Sequence, residues 1–90
     1  MQLYIDIAGK RLNALVDSGS THNFLAKEAA ARTSVHLQHW PIVQVKVAND
    51  DRVTSAGIAK ALPLMVDGEP IIIDCYAIPL GGFDIILGVQ

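Results

Sequence analysis

The chain has 90 residues, a net charge of −2 and 51% apolar residues. The length predicts a single domain, residues 1–90. The lack of a basic excess argues against a nucleic acid partner. The apolar content argues against disorder. A chain this short buries only about 60–65% of its unfolded surface, so the apolar excess suggests that a partner chain covers part of it.

The first part of the chain alternates apolar and polar residues, as half-buried β-strands do. Residues 2–7 and 11–16 predict two strands joined by a turn. The alanine-rich segment 23–32 then predicts a short helix, capped at its start by Asn23 or Thr21.

The second part of the chain predicts further strands. They lie at residues 43–47, 52–66, 71–73 and 85–87. A polar turn is predicted at 49–51, Asp67-Gly68 is a strong hairpin signal, and Gly57 and Pro63 predict a kink or bulge in the strand that contains them. Strands around one short helix predict a small, mostly-β barrel or sandwich.

A polar loop follows the second predicted strand, where the apolar Leu15-Val16 run directly into Asp17. An ionised carboxylate at the end of a buried strand is costly unless it is hydrogen-bonded. The backbone N–H groups and hydroxyls of the following residues can supply those bonds, and Gly19 lets another backbone approach closely. Taken alone, the pattern fits a plain Asx-turn equally well.

A second apolar run, residues 83–87, ends at Gly88. Together, residues 14–24, 47–50 and 80–90 resemble the retropepsin-like aspartic proteases, and in finer detail the protease of gypsy-type LTR retrotransposons, particularly plant ones. The resemblance implies an all-β fold with one short helix, closed as a small barrel that is a single aspartic-protease half. It also implies that the strand ending at Gly88 packs beneath the Asp17 loop.

The resemblance implies an aspartic endopeptidase that hydrolyses peptide bonds of a retroelement Gag-Pol polyprotein. This chemistry needs two carboxylates about 3 Å apart that share one proton. Since the chain has one aspartate in the motif, the implied enzyme is a C2 homodimer in which Asp17 faces its symmetry mate. Ser18 would brace the pair across the dimer, and Gly19 would offer its carbonyl to the substrate backbone.

Residues 43–59 would form a flap that closes over an extended peptide. The residues expected to bind substrate are Ser20, Thr21, His22, Val47, Ala48, Asn49, Ile58 and Ile86. The chain departs from viral members in its acidic flap tip and in lacking both the carboxylates after the loop and the basic residue after Gly88. Hydroxyl, imidazole or amide groups would then grip the substrate.

Two alternatives to the enzyme remain open. In the first, the chain is a domesticated or inactive copy of this fold, a monomeric module that acts in binding or dimerisation. In the second, it is an unrelated β-barrel interaction domain with a fortuitous Asp-Ser-Gly turn. A Ser-His-Asp triad around His22 is disfavoured, because neighbours in one turn rarely reach the required geometry. His36 and His39 make a weak metal site, so neither a metal nor a cofactor is expected.

The expected location is intracellular, in the cytoplasm or in retroelement particles. The single cysteine, Cys75, excludes an intrachain disulfide and favours a reducing compartment, where we expect a buried, inert thiol. The first residues lack the basic region of a signal peptide. Asp74 and Asp84 interrupt the richest apolar stretch, so no membrane span is expected.

Overall fold

The computed structural model describes residues 2–20, 22–39, 44–46 and 52–88. Its elements are β1 (Gln2–Ile7), β2 (Lys10–Asp17), β3 (Phe24–Ala26), α1 (Lys27–Arg32), β4 (Gln44–Lys46), β5 (Arg52–Thr54), β6 (Gly57–Val66), β7 (Glu69–Ile78) and β8 (Ile85–Gly88). Six strands close a barrel in the order β1-β2-β8-β3-β7-β6, and β4 and β5 form a separate antiparallel hairpin. The prediction of a small closed β-barrel with one short helix is confirmed.

Two tight turns shape the barrel's long hairpins. Ala8 and Gly9, with φ of 52° and 79°, join β1 to β2, and Asp67 and Gly68, with φ of 51° and 80°, join β6 to β7. Two-residue loops with both φ positive are type I′ turns, whose twist matches that of the flanking strands. Both turns lie where the sequence predicts them.

The core follows the predicted period of two along the strands. The most completely buried large side chains are those of Ile5, Ile7, Leu12, Leu25, Ile78 and Ile85. Other large apolar side chains lie on the surface, since Ile72 is 70% exposed and Tyr4 is 62% exposed, and Met65 and Ile71 are exposed as well. Part of the chain's apolar excess therefore faces outward.

The helix is shorter than predicted. Phe24–Ala26 forms β3, which is buried and pairs in parallel with β7 and antiparallel with β8. Strand pairing on both sides satisfies the backbone of this apolar run and buries it, which outweighs its local helix propensity. The helix begins only at Lys27, without a side-chain cap. Asn23 is therefore not its cap, and Thr21 lies outside the described residues.

The predicted strand 52–66 is divided in two. Residues 55 and 56 separate β5 from β6, and the register of β6 against β7 shifts between Ala59 and Leu62. At that bulge Ala61 has a φ of 51°, and its N–H donates to the Asp74 carboxylate at 2.8 Å. The predicted irregularities near Gly57 and Pro63 are thus present.

The remaining predicted strands are found with different extents. Residues 71–73 belong to the longer strand β7, and β4 accounts for residues 44–46 of the predicted strand 43–47, whose two end residues lie outside the described part of the chain. The predicted polar turn at 49–51 lies outside the described residues. In β8, Ile85 is fully buried, whereas Ile86 and Leu87 are half-buried. Among the residues described, no helix has the length and apolarity to cross a membrane.

Cys75 is fully buried on β7, as predicted. Burial, with a smaller contribution from the neighbouring Asp74 carboxylate, raises the pKa of the thiol from 9.0 to about 12. The native thiol therefore stays protonated and unreactive at neutral pH.

We expect a disulfide reagent at about pH 8 to modify Cys75 only as fast as the chain unfolds, and to modify it rapidly in denaturant. Since the unfolded thiol ionises first, native stability should fall as the pH rises from 9.0 through about 12. Reagent kinetics and denaturation at several pH values check this. Rapid stoichiometric modification of the native protein would contradict it.

Candidate active site

Asp17 is the last residue of β2 and lies beside Gly88, the last residue of the parallel strand β8. Strand β8 is inserted between β2 and β3. The chain therefore leaves β2 at Asp17, crosses the end of β8 and returns as β3 on its other side. This topology places the backbone of Ser20 and His22, in the loop after Asp17, over Gly88.

The Asp17 carboxylate is held by the backbone of its own loop. The Gly19 N–H donates to Asp17 Oδ1 at 2.9 Å, and the Ser20 N–H donates to the Asp17 carbonyl at 3.1 Å. A Cβ on residue 19 would lie 3.3 Å from Asp17 Oδ1, so glycine leaves the carboxylate uncrowded. The backbone donor expected for a half-buried carboxylate is present, in the geometry of an Asx-turn.

Gly88 is packed directly against this loop. A Cβ on Gly88 would lie 2.7 Å from the carbonyl oxygens of both Ser20 and His22. Real Cβ atoms do not approach backbone oxygen so closely, and only glycine fits there. The packing of the apolar-Gly strand beneath the loop, which the resemblance implies, is therefore observed.

The serine hydroxyls of the loop have different surroundings. Ser18 is exposed. Ser20 Oγ donates to the His22 carbonyl at 2.7 Å and accepts the His22 N–H at 3.4 Å. The Ser20 hydroxyl thus braces the loop instead of the carboxylate. Bonding to the backbone of residue 22 is also not the geometry in which an imidazole takes a proton from a serine. Thr21 lies outside the described residues.

The His22 side chain is exposed and lies against two aromatic rings. Its ring centroid is 5.4 Å from that of Tyr76, edge-on at 70°, and 6.2 Å from that of Phe24. The imidazole is thus held at the surface beside the Asp17 loop. An imidazole in this position can contact a molecule that lies along the loop.

The hairpin β4–β5 lies in the region where the flap was predicted. Its register pairs Gln44 with Thr54 and Lys46 with Arg52. At its base, the buried Ser55 hydroxyl donates to the Gly57 carbonyl at 2.5 Å and to the Ala77 carbonyl at 3.3 Å. The hairpin is thus a separate unit joined firmly to the barrel. The predicted contacts Val47, Ala48 and Asn49 lie outside the described residues.

A small apolar cluster connects the hairpin to the loop. Phe24 and Ile78 form its buried centre, and Val53 of β5 and Ile86 of β8 pack against it. Ile86 is therefore half-buried close to the end of β8. Ile58 lies at the base of the hairpin, half-buried, where it pairs with Tyr76 and exchanges backbone hydrogen bonds with Gln38 at 2.9 Å each.

Two polar residues at this site have roles that the sequence did not reveal. Asn23 Oδ1 accepts the Gly88 N–H at 2.9 Å. Asp84 Oδ2 accepts the Asn13 N–H at 2.9 Å, and Asp84 Oδ1 pairs with Arg32 at 2.5 Å. The position of Asp84 directly before an apolar strand was a usable signal, because a carboxylate there needs partners. Asn23 had no such signal, since asparagine is also a common helix cap.

The histidines considered as metal ligands have other surroundings. His39 Nδ1 lies 2.8 Å from the Ala56 carbonyl oxygen, and His36 is exposed. Within the described ranges, no group of three or more histidine, cysteine, aspartate or glutamate side chains is close enough to hold a metal ion.

Known proteins share this sequence pattern and architecture. Residues 3–90 match the family model described as aspartyl protease. The retroviral protease-like domain of Ddi1 from Leishmania major superposes with a TM-score of 0.79 at 21% identity, over 97% of this chain and 70% of that one. The Simian Foamy Virus (mac) protease superposes with a TM-score of 0.63 at 23% identity, over 98% of this chain and 87% of that one. At these identities the two structures show a shared fold. No curated protein matches the chain significantly.

We expect Gly88→Ala to lower the free energy of unfolding by about 1–3 kcal/mol, because the added methyl group must displace the loop backbone. Gly81→Ala is the matched control, since a Cβ there meets nothing within 4 Å, and it should change stability by less than about 0.5 kcal/mol. Chemical denaturation measures both. Equal stability of the two variants would contradict the close packing of Gly88.

Proposed function

The chain belongs to the aspartyl protease family, and from this premise we propose that it is an aspartic endopeptidase with Asp17 as its catalytic carboxylate. One observation carries the proposal. Asp17 lies at the end of β2 with Oδ1 held by the Gly19 N–H at 2.9 Å, over a strand whose final glycine supports the loop. A carboxylate oriented in this way by backbone groups can act on a water molecule.

The proposed mechanism requires a second carboxylate. One carboxylate removes a proton from water, and the hydroxide attacks the scissile carbonyl carbon while the other carboxyl donates a hydrogen bond to the carbonyl oxygen. The tetrahedral intermediate then expels the amine, which takes up the proton that the first carboxylate removed from the water molecule. The resemblance implies one such aspartate in each chain, and this chain has one in the motif, Asp17. We therefore propose that the second carboxylate is Asp17 of another copy, in a C2 homodimer.

The neighbours of Asp17 have supporting roles in this proposal. The exposed Ser18 hydroxyl would bond to the loop of the partner copy and so fix the two carboxylates relative to each other. Gly19 has no side chain to block its carbonyl, which would accept a hydrogen bond from the substrate backbone.

The proposed substrate is an extended peptide between the barrel and the hairpin β4–β5. An extended peptide satisfies its backbone against strand-like partners, and a hairpin lid excludes water from the reaction. The apolar cluster reached by Val53 and Ile86 favours apolar side chains near the scissile bond. The residues that we propose to contact substrate are Ser20, Thr21, His22, Val47, Ala48, Asn49, Ile58 and Ile86.

The proposed origin is a retroelement, and the proposed substrate is its Gag-Pol polyprotein. Support comes from the loop, flap and closing segments that resemble plant gypsy-type elements, and from the fold shared with the Simian Foamy Virus (mac) protease. We also propose that residues 1–90 form one protease domain. Cleavage of the polyprotein would then take place in the cytoplasm or in retroelement particles.

A second candidate is a domesticated or inactive module that binds or dimerises without cleaving peptides. The TM-score is higher for the retroviral protease-like domain of Ddi1, 0.79, than for the viral protease, 0.63. The stronger likeness is therefore to a domain that is described as protease-like. The intact Asp17-Ser18-Gly19 motif favours the enzyme, because a binding module has no need of it.

We expect Asp17→Asn to reduce cleavage of an apolar-junction peptide at about pH 4–6 by about 10²-fold or more, because the neutral amide cannot act as a base. Asp67→Asn is the matched control. Asp67 is exposed in a turn with a φ of 51°, which asparagine adopts readily, and this variant should keep its activity within about twofold. A pepstatin-like inhibitor should block the wild type.

Equal cleavage by the wild type and Asp17→Asn would reject the proposed catalytic residue. A wild type that does not cleave the peptide would replace the enzyme with the second candidate, as a binding module if it sediments at its chain mass of 9.7 kDa and as a dimerisation module if it sediments above that mass. Peptide turnover and sedimentation velocity on the same sample therefore separate the two functions.

A further inference from the structure

The Asn23 side chain joins two strands at the end of β8, beneath the Asp17 loop. Its Oδ1 accepts the Gly88 N–H at 2.9 Å, and its Nδ2 donates to the Asp74 carbonyl at 3.2 Å. The Asn23 carbonyl accepts the Tyr76 N–H at 2.9 Å. This one residue therefore ties the last residue of β8 to β7.

Both partners of the amide are backbone groups, which determines the chemistry required at position 23. The Gly88 N–H can only donate, and the Asp74 carbonyl can only accept. The amide group of asparagine has one acceptor oxygen and one donor nitrogen, and the two contacts assign its orientation. An ionised carboxylate of the same shape would accept from Gly88 but would repel the Asp74 carbonyl.

Gly88 transmits this constraint to the loop. It is the register partner of Asp17, and its Cα lies so close to the loop that an added Cβ would be 2.7 Å from the carbonyl oxygens of Ser20 and His22. Because packed backbone does not compress, a shift of Gly88 has to move the loop. The loop in turn carries the Gly19 N–H that holds the Asp17 carboxylate.

The geometry points to Asn23 as a positioning residue for Asp17, which acts through Gly88 and not on the substrate. This inference rests on the proposed function for its catalytic consequence. Its structural part, the coupling of Asn23 to the Gly19 N–H through Gly88, can be measured in the absence of any activity.

Amide hydrogen exchange tests the coupling directly. In Asn23→Ala we expect the Gly88 and Gly19 amides to exchange about tenfold faster than in the wild type, while the paired amides of β1 and β2 change by less than about twofold. Asn13→Ala is the matched control, because Asn13 joins Asp84 through its backbone, and it should leave both glycine amides unchanged.

Two outcomes of the exchange experiment would overturn the inference. A Gly19 amide that is unaffected in Asn23→Ala would show that Gly88 does not transmit the constraint. A uniform acceleration of all amides would show that Asn23 contributes only to global stability.

Asn23→Asp provides a second test that holds even if Asn23→Ala fails to fold. At about pH 7 the introduced carboxylate is ionised and faces the Asp74 carbonyl, so we expect the two glycine amides to exchange about tenfold faster than in the wild type. Below about pH 4 the carboxyl is protonated and its O–H can donate to that carbonyl. The ratio of the exchange rate in Asn23→Asp to that in the wild type should then return towards one for both glycine amides.

Wild type and variant are compared at each pH, so that the effects of pH common to both proteins cancel in the ratio of their exchange rates. A ratio close to one at neutral pH would overturn the inference, since the donor to the Asp74 carbonyl would then be dispensable.

Kinetics test the catalytic consequence. In Asn23→Ala we expect kcat for peptide cleavage to fall about tenfold, and by a larger factor than any rise in KM, because the main effect is on the orientation of the Asp17 carboxylate and Asn23 itself does not touch the substrate. An unchanged kcat beside altered Gly19 exchange would overturn the positioning role. If the wild type has no activity, the proposed function is rejected. The exchange experiments would still show whether Asn23 is coupled to the Gly19 N–H through Gly88.

Discussion

The contact between Gly88 and the backbone of the Asp17 loop is the constraint on which the arrangement depends. The loop has to cross the end of β8 at a distance that leaves no room for a side chain. That crossing allows the Gly19 N–H to hold the Asp17 carboxylate at the end of β2. A different residue at position 88 would move the loop and, with it, the Gly19 N–H. Among the described residues, this N–H is the donor that the structure assigns to the Asp17 carboxylate.

Strand β8 is held in place at both ends, which is why the contact can be so close. At its start, Asp84 pairs with Arg32 of the helix and accepts the Asn13 N–H of β2. At its end, Asn23 holds the Gly88 N–H. Between them the strand pairs with β2 on one side and β3 on the other. The short helix therefore serves the site indirectly, by carrying Arg32 to the base of β8.

Local chemistry made much of the fold predictable. Asp67-Gly68 can adopt positive φ and so specified a hairpin, and the alternation of Leu3, Ile5 and Ile7 specified the buried face of β1. The loop at Asp17 was recognisable because apolar residues run directly into a carboxylate. These signals depend on neighbours in the chain, which a single sequence contains.

Contacts between distant residues were less predictable. Phe24–Ala26 is a strand because β7 and β8 lie on either side of it, and nothing in its own residues indicates those partners. Asn23 looked like a helix cap for the same reason, since its partners Gly88 and Asp74 are more than fifty residues away. The proximity of Gly88 to Ser20 could be expected only from a resemblance.

The central claim is that an active unit takes one Asp17 from each of two chains. Mixing wild type with Asp17→Asn at constant total concentration, under conditions of subunit exchange, tests it most directly. If each active unit needs two intact copies, peptide cleavage should vary as the square of the wild-type fraction and fall to about one quarter in an equal mixture. A linear decrease, to about one half in the same mixture, would show that one chain is sufficient and would contradict the account.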